Sequence, residues 1–362
     1  MQAQIAHTRH YTALDGLRGF AALSVLAFHL GRWLDIPWLG ANGGLSVDTF
    51  FSLSGYVLAL AYEKRVDSLS VIGFATARLI RVMPMIVLAV AVSATYVLFR
   101  SFVSHVDIPT SAIVSATMLG MLNLPYLYAP SAVGGPQLFP LNGPQYSLFL
   151  EIVANVVWWA GRHIPQMSTA ASVSLVCAAT LIVIGIGGDT TETFWYGFPH
   201  VGVSFALGIF LFHLDGRLPE WGGWTPVFWC LFVGMVALLF APVEASFSVK
   251  LGWKFIVAPL LVLAGAHVRI GNRMSWLALQ CGALSFPLYA LHYPIFCWVN
   301  GFYRMLFGPR DAQIEGPLVA AIAIVASLLA LRFYDKPLRS YLSRKFLAQG
   351  SERVVARAEP AL

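Results

Sequence analysis

The chain has 362 residues, of which 58% are hydrophobic and 11% charged, with a net charge of +6 at pH 7. A soluble domain cannot hide that much apolar surface, whereas a polytopic helical membrane protein turns it toward lipid. The basic residues punctuate the ends of apolar runs and gather on no single polar domain, which excludes a nucleic-acid partner and marks them as topology signals.

In chain order, apolar runs predict membrane spans near 12–34, 45–62, 83–100, 145–161, 168–187, 198–213, 225–241, 250–267, 277–303 and 313–334. The stretch ahead of the first span, MQAQIAHTRHYTALDG, has no signal-peptide core, so that span is expected to be retained. One further run, 110–128, is short of the roughly 20 residues a span needs and ends in a Pro- and Gly-rich stretch. Charge decides its status. With 110–128 kept on one side and the N-terminus inside, sixteen Lys and Arg fall on inner segments and four on outer ones, whereas a crossing at 110–128 reverses the bias. The expectation is therefore an all-α bundle of about ten spans with both termini cytoplasmic. It is one transmembrane domain over residues 1–345, with 110–144 as an outer-face re-entrant or interfacial segment and 346–362 as a short, flexible cytoplasmic tail. The four cysteines (Cys177, Cys230, Cys281 and Cys297) form no metal-like or disulfide spacing and read as buried small hydrophobes.

Ionisable groups are costly in lipid and usually face a bundle interior or a water-filled cavity. In the first span Arg18 and His29 are eleven residues apart, three turns plus roughly 20°, so they share a stripe and lie roughly 16 Å apart along the axis. Ala22 and Val25 lie between them. That layout suits a long thin ligand with an anionic inner end and a reactive end deep in the membrane. It equally suits a snorkelling arginine and a satisfied bundle histidine. Asp48 and Ser52 share a face near the start of the second span, at a depth similar to His29. A carboxylate there either orients and charge-stabilises His29 or caps its own helix. Arg78 and Arg81, at i and i+3 just ahead of Pro84, form either a phosphate site or a positive-inside anchor. Pro84 suits an early helix position. Glu151 lies a turn or more into the fourth span, on one face with Ser147, and Ser285, Tyr289 and His292 recur at i, i+4 and i+7 in the ninth. Of nine histidines, His29 and His292 alone fall well inside predicted spans.

These stretches together resemble acyltransferase family 3, membrane-bound O-acyltransferases of bacterial surface polysaccharides and some small molecules. Its Arg-x10-His pattern appears as Arg18 and His29 after LDGLRG, and its second-helix pattern as VDTFFSLSG, with Asp48, Ser54 and Gly55. The paired arginines before a proline are Arg78, Arg81 and Pro84. YSLFLE keeps Ser147 and Glu151 with Tyr146 in place of a tryptophan, and SFPLYALH has Phe286 in place of a tyrosine. Both departures exchange one aromatic for another. The resemblance runs from about residue 10 to 340, in the manner of the stand-alone members without a hydrolase-like extra domain, and the LNGPQYSLFLE variant leans to the exopolysaccharide branch.

The resemblance implies an acyl-CoA donor, usually acetyl-CoA, a saccharide or lipid-linked glycan acceptor, no metal, and a place in the bacterial cytoplasmic membrane. In that scheme Arg18, Arg78 and Arg81 hold the donor phosphates and the pantetheine arm follows the Arg18–His29 stripe. His29 is the general base, oriented by Asp48, or less favourably carries the acyl group itself. Glu151 joins them at the reacting centre, and Ser52, Ser147, Tyr289 and His292 line the acceptor or oxyanion side. Two competing functions are an acyltransferase of macrolides or other lipophilic acceptors, and a permease. The permease lacks the paired broken helices that transporters often show.

Overall fold

A computed structural model describes residues 11–63, 70–103, 105–219 and 221–347. Arg9, Lys64 and Arg65 of the inner charge set, and the tail beyond 347, lie outside the described residues. The described chain is helical, in the order α1 (Thr12–Trp33), α2 (Ser46–Tyr62), α3 (Val71–Val103), α4 (Thr110–Met121), α5 (Gln145–Ala160), α6 (Gln166–Ile184) and α7 (Gly197–Asp215). It continues with α8 (Trp224–Leu239), α9 (Phe247–Gly252), α10 (Ala258–His267), α11 (Asn272–Phe307), α12 (Ala312–Ala330) and α13 (Lys336–Phe346). π-helical turns over Trp253–Val257 and Leu331–Asp335 join α9 to α10 and α12 to α13 without a break. Among the described residues the β pairing is one isolated bridge, between Gln137 and Thr190.

Eight of the described helical runs are long and apolar enough to cross a membrane. Helix occupies each of the ten places that the apolar runs predict, but α5 and α8 are 16 residues each and fall below that length. The third helix begins well before residue 83, because an amphipathic lead-in carrying Arg78 and Arg81 continues the apolar run. Pro84 therefore sits inside α3, not at its start. There it has no N–H to offer the Ile80 carbonyl one turn back. The expectation that all four cysteines are buried fails: Cys177, Cys281 and Cys297 are half-buried, and Cys230 is exposed on α8. A lipid-facing helix surface stabilises a small apolar side chain as well as a core does, so burial is not required of it.

Helix-to-helix register is set by small residues. Along the α1–α11 seam, Gly16 faces Ala278, Gly19 faces Cys281 and Gly282 faces Asp15, each too close for an added Cβ to fit without displacement. Between α2 and α7, Gly208 abuts the Ser52 carbonyl and Gly55 the Phe205 carbonyl. Small residues let membrane helices approach closely, where van der Waals packing does the work that water does elsewhere. Along α1–α11 the partners advance together from Gly16–Ala278 to His29–His292, and along α2–α7 from Asp48–His200 to Tyr56–Asp215. The helices of each pair therefore run in the same direction, with His29 of α1 against His292 of α11 and Tyr56 of α2 against Asp215 of α7.

The 12-residue α4 packs Gly120 on Val90 of α3, and the segment after it folds over the bundle. Gln145 ties it down by donating to Gly120 O at 2.8 Å and Asn123 Oδ1 at 3.0 Å. Asn142 donates to Ala290 O of α11 at 3.1 Å. Pro294, four residues on, has no N–H for that carbonyl, so the asparagine fills a vacancy that the proline creates.

Candidate active site

The residues of α2 at 47, 50, 51, 54 and 57 follow helical spacing and turn one face toward a cavity of about 790 Å³, counting its open mouth. Arg18 of α1, Arg78 and Arg81 of α3, Ser147 and Glu151 of α5, and Ser285 and Tyr289 of α11 complete the wall. Six of the ten site residues expected from the sequence are thus brought together: Arg18, Arg78, Arg81, Ser147, Glu151 and Tyr289.

Most of the polar side chains in the wall have definable partners. Arg18 Nε donates to Ser285 Oγ at 3.0 Å and its Nη2 to Gly282 O at 3.1 Å, both reached across the glycine seam. The Arg78 guanidinium lies over the rings of Tyr62, at 5.2 Å, and Phe74, at 5.9 Å. Such cation–π contacts hold a charge where water is scarce. Ser54 donates to Glu151 Oε1. Ser147 Oγ and Tyr289 Oη are 2.6 Å apart, and both reach the Pro144 carbonyl, at 3.0 and 3.3 Å. The wall carries three guanidinium groups and one carboxylate, a charge pattern suited to an anionic ligand such as a phosphate.

His29 and His292 do not line this cavity. They form a separate pair beyond Tyr289, with ring centroids 5.1 Å apart. Trp33 stacks on both, at 4.9 Å from His29 and 5.8 Å from His292, and Phe296 backs the indole at 4.2 Å. Tyr289 is the link between the two places, since its ring lies 5.8 Å from His292 while its hydroxyl reaches Ser147.

Asp48 is not the partner of His29. Its Oδ1 accepts from Lys254 Nζ, from His200 Nε2 at 3.1 Å and from Ser204 Oγ at 3.2 Å, all on the α7 and α9–α10 side of α2. The carboxylate and the lysine are both buried. The reason is rotational: positions 48 and 52 point about 200° away from 50 and 54, so the face holding Asp48 turns to α7 while the cavity face holds Ser54. Ser52 goes with Asp48 and is fully buried against Gly208, away from the cavity. Sequence reasoning missed Lys254, His200 and Ser204, and passed over Ser54. The available signals were a lysine inside an apolar run and a VDTFFSLSG serine two residues beyond the one chosen. The π-helical turn that carries Lys254 is a departure from α geometry often found where a side chain must be aimed.

Among the described residues no group of three or more His, Cys, Asp or Glu is placed to hold a metal ion. What the site offers is anion binding at the arginines, paired hydroxyls at Ser147 and Tyr289, and an imidazole pair farther along α1.

Comparison with known proteins gives this geometry a family. Protein 2 in the picA locus of Rhizobium radiobacter is 33% identical over 186 residues, covering 48% of this chain and 92% of that protein. YrhL of Bacillus subtilis, a peptidoglycan O-acetyltransferase by name, is 26% identical over 96% of this chain and 57% of its own length. O-acetyltransferase OatA of Staphylococcus aureus is 24% identical over 91% of this chain, again with 57% of its own length covered. The chain thus spans little more than half the length of these two O-acetyltransferases. No solved structure matches it. The family model described as the acyltransferase domain matches residues 11–332, and the chain belongs to that family, acyltransferase family 3.

Proposed function

We propose that the chain transfers an acyl group, acetyl in the first instance, from acyl-CoA to a hydroxyl of a saccharide or cell-surface polysaccharide. The observation that carries the reading is the cavity wall in which α1 and α3 set Arg18, Arg78 and Arg81 opposite Glu151 and Ser54. Guanidinium groups recognise phosphate oxygens through planar paired donors, and a coenzyme A nucleotide carries several phosphates. The names of the O-acetyltransferase relatives support an acetyl group and a glycan acceptor.

In this reading the donor phosphates lie at the arginines and the pantetheine arm runs along α1 past Ala22 and Val25 toward His29. A sugar hydroxyl is almost wholly un-ionised at neutral pH. His29 takes its proton as the oxygen attacks the acyl carbon, a contribution of about 10²–10⁴-fold. Tyr289 and Ser147, on the route between the arginines and the imidazoles, orient the acceptor. Glu151 holds its place in the wall through Ser54.

The parallel courses of α1 with α11 and of α2 with α7 support a topology in which 110–144 stays on one side. A crossing there would reverse one member of each pair. With the basic inner segments, this favours cytoplasmic termini in a bacterial cytoplasmic membrane, with the arginines near the inner face.

The test uses purified protein in lipid nanodiscs with acetyl-CoA labelled in its acetyl group and a panel of free and lipid-linked oligosaccharides. Label reaching a saccharide with wild type, and not with a folded His29→Ala variant, is the expected result. Undiminished transfer by His29→Ala would overturn the mechanism. Transfer only to lipophilic small molecules would replace the acceptor class.

A further inference from the structure

We infer that His292 is the positioning residue for His29, filling the place that Asp48 does not. The inference rests on the acyl-transfer reading above for its consequence, but on separate geometry for its existence.

The tautomer of His292 follows from its neighbours. Its Nδ1 lies 2.8 Å from Tyr289 O and 3.2 Å from Leu288 O. A carbonyl oxygen only accepts, so Nδ1 carries the hydrogen and donates it. In the neutral ring Nε2 is then a bare lone pair. The residue is 1% exposed, and Nε2 has no hydrogen-bond partner among the described residues. A buried acceptor of this kind calls for a donor.

Three rings surround it, and they differ in what they can give. The Tyr289 hydroxyl is engaged with Ser147. Trp33 lies nearly parallel to His292, at 20°, so its in-plane N–H points along the stack's layers and not at the neighbouring ring. His29 remains, tilted by 33° at 5.1 Å between centroids. Each imidazole nitrogen sits about 1.1 Å from its ring centre, so edge-to-edge approach at this separation brings two nitrogens to about 2.9 Å, inside hydrogen-bonding range. The χ2 torsion of histidine is broad, so the turn required is inexpensive.

When His29 donates one N–H to His292 Nε2, its two nitrogens become unequal. The other nitrogen is held bare and serves as base. During transfer the bond from acceptor oxygen to acyl carbon forms and the acyl carbon–sulfur bond breaks. The hydroxyl proton moves to the bare nitrogen of His29 and from there to the leaving thiolate. His292 accepts no proton. It accepts a hydrogen bond that strengthens while His29 is positively charged. A neutral partner suits this place, because it leaves no unpaired carboxylate in the apolar bundle when His29 is uncharged.

The experiment uses the full chain in nanodiscs with 15N-labelled histidine, the His29 signals being assigned by their loss in His29→Asn. In wild type, His29 is expected to show one protonated and one unprotonated nitrogen. In His292→Phe it should show the averaged pair of a free tautomer mixture. His292→Phe is also expected to lower kcat about 100-fold with donor KM within about twofold. His292→Gln, whose amide oxygen can stand where Nε2 stood, should regain about tenfold of that loss. An averaged His29 spectrum in wild type would overturn the inference, as would a kcat for His292→Phe within about threefold of wild type. If His292→Phe does not fold, the wild-type spectrum and His292→Gln decide. If wild type transfers no label, the acyl-transfer reading fails while the nitrogen spectra still judge the pairing.

Discussion

Two clusters of charge flank α2, and they are built on opposite rules. On one face Asp48 is buried and its Oδ1 takes Lys254, His200 and Ser204, so positive and negative charge meet at contact distance, and none of these residues lines the site cavity. On the other face Arg18, Arg78 and Arg81 share a wall with one carboxylate around open space. The first is a charge-paired cluster that ties α2 to α7 and to the turn between α9 and α10. The second sets three guanidinium groups and one carboxylate on the border of a cavity. Burial alone would not separate them, because Arg18, Arg78 and Asp48 are all buried. Lining the cavity does.

The sharpest way to break the comparison is at Lys254. Lys254→Met leaves Asp48 without its cation, and loss of one partner of a buried pair typically costs about 3–5 kcal/mol. Thermal unfolding in nanodiscs should show that loss, and Asp48→Asn combined with Lys254→Met should recover most of it. A single variant as stable as wild type would remove the structural role. Arg81→Ala should behave in the opposite way. Its unfolding midpoint should stay near that of wild type, while donor KM rises about 10–100-fold, the equivalent of about 1.5–3 kcal/mol for a lost hydrogen bond to a charged group. A large fall in stability with unchanged KM would make the two clusters alike. Tyr289→Phe is the finer probe. It removes the 2.6 Å contact with Ser147 and should cost about 0.5–1.5 kcal/mol of stability. Acceptor KM should rise severalfold in titrations that leave donor KM unchanged.

How much of this was readable from the chain depends on whether the signal was local. That Arg18 and His29 face one neighbour, α11, was legible because eleven residues return nearly to the same side of a helix, although only Arg18 lines the cavity. The Ser147–Glu151 face was legible for a similar reason. The pairing of Asp48 with Lys254 was not, since 206 residues separate them and periodicity gives a helix its faces without saying which neighbour each face meets. His200 looked like a loop-end histidine because it stands near the start of α7. The close approach at Gly208 and Gly55, invisible in one sequence, helps bring that end against Asp48. Helix was found at each place hydropathy marked, eight of the runs long enough to cross a membrane, but the lead-in of α3 was missed because its arginines lowered the apolar signal where the helix was still continuous.

The Trp33 stack has a consequence for selectivity. Trp33 closes α1, its backbone carbonyl is held by Arg310, and its ring lies between the two imidazoles and Phe296. An acyl-transfer enzyme always has a second acceptor at hand, because the solvent itself is a nucleophile at roughly 55 M and any base that activates a sugar hydroxyl will activate a water molecule as well. The face of the Trp33 ring turned to the imidazoles carries no N–H, so it gives water no donor by which to be held in line for attack. In the proposed reaction, the balance between transfer and hydrolysis would then rest in part on the ring stacked on the two imidazoles.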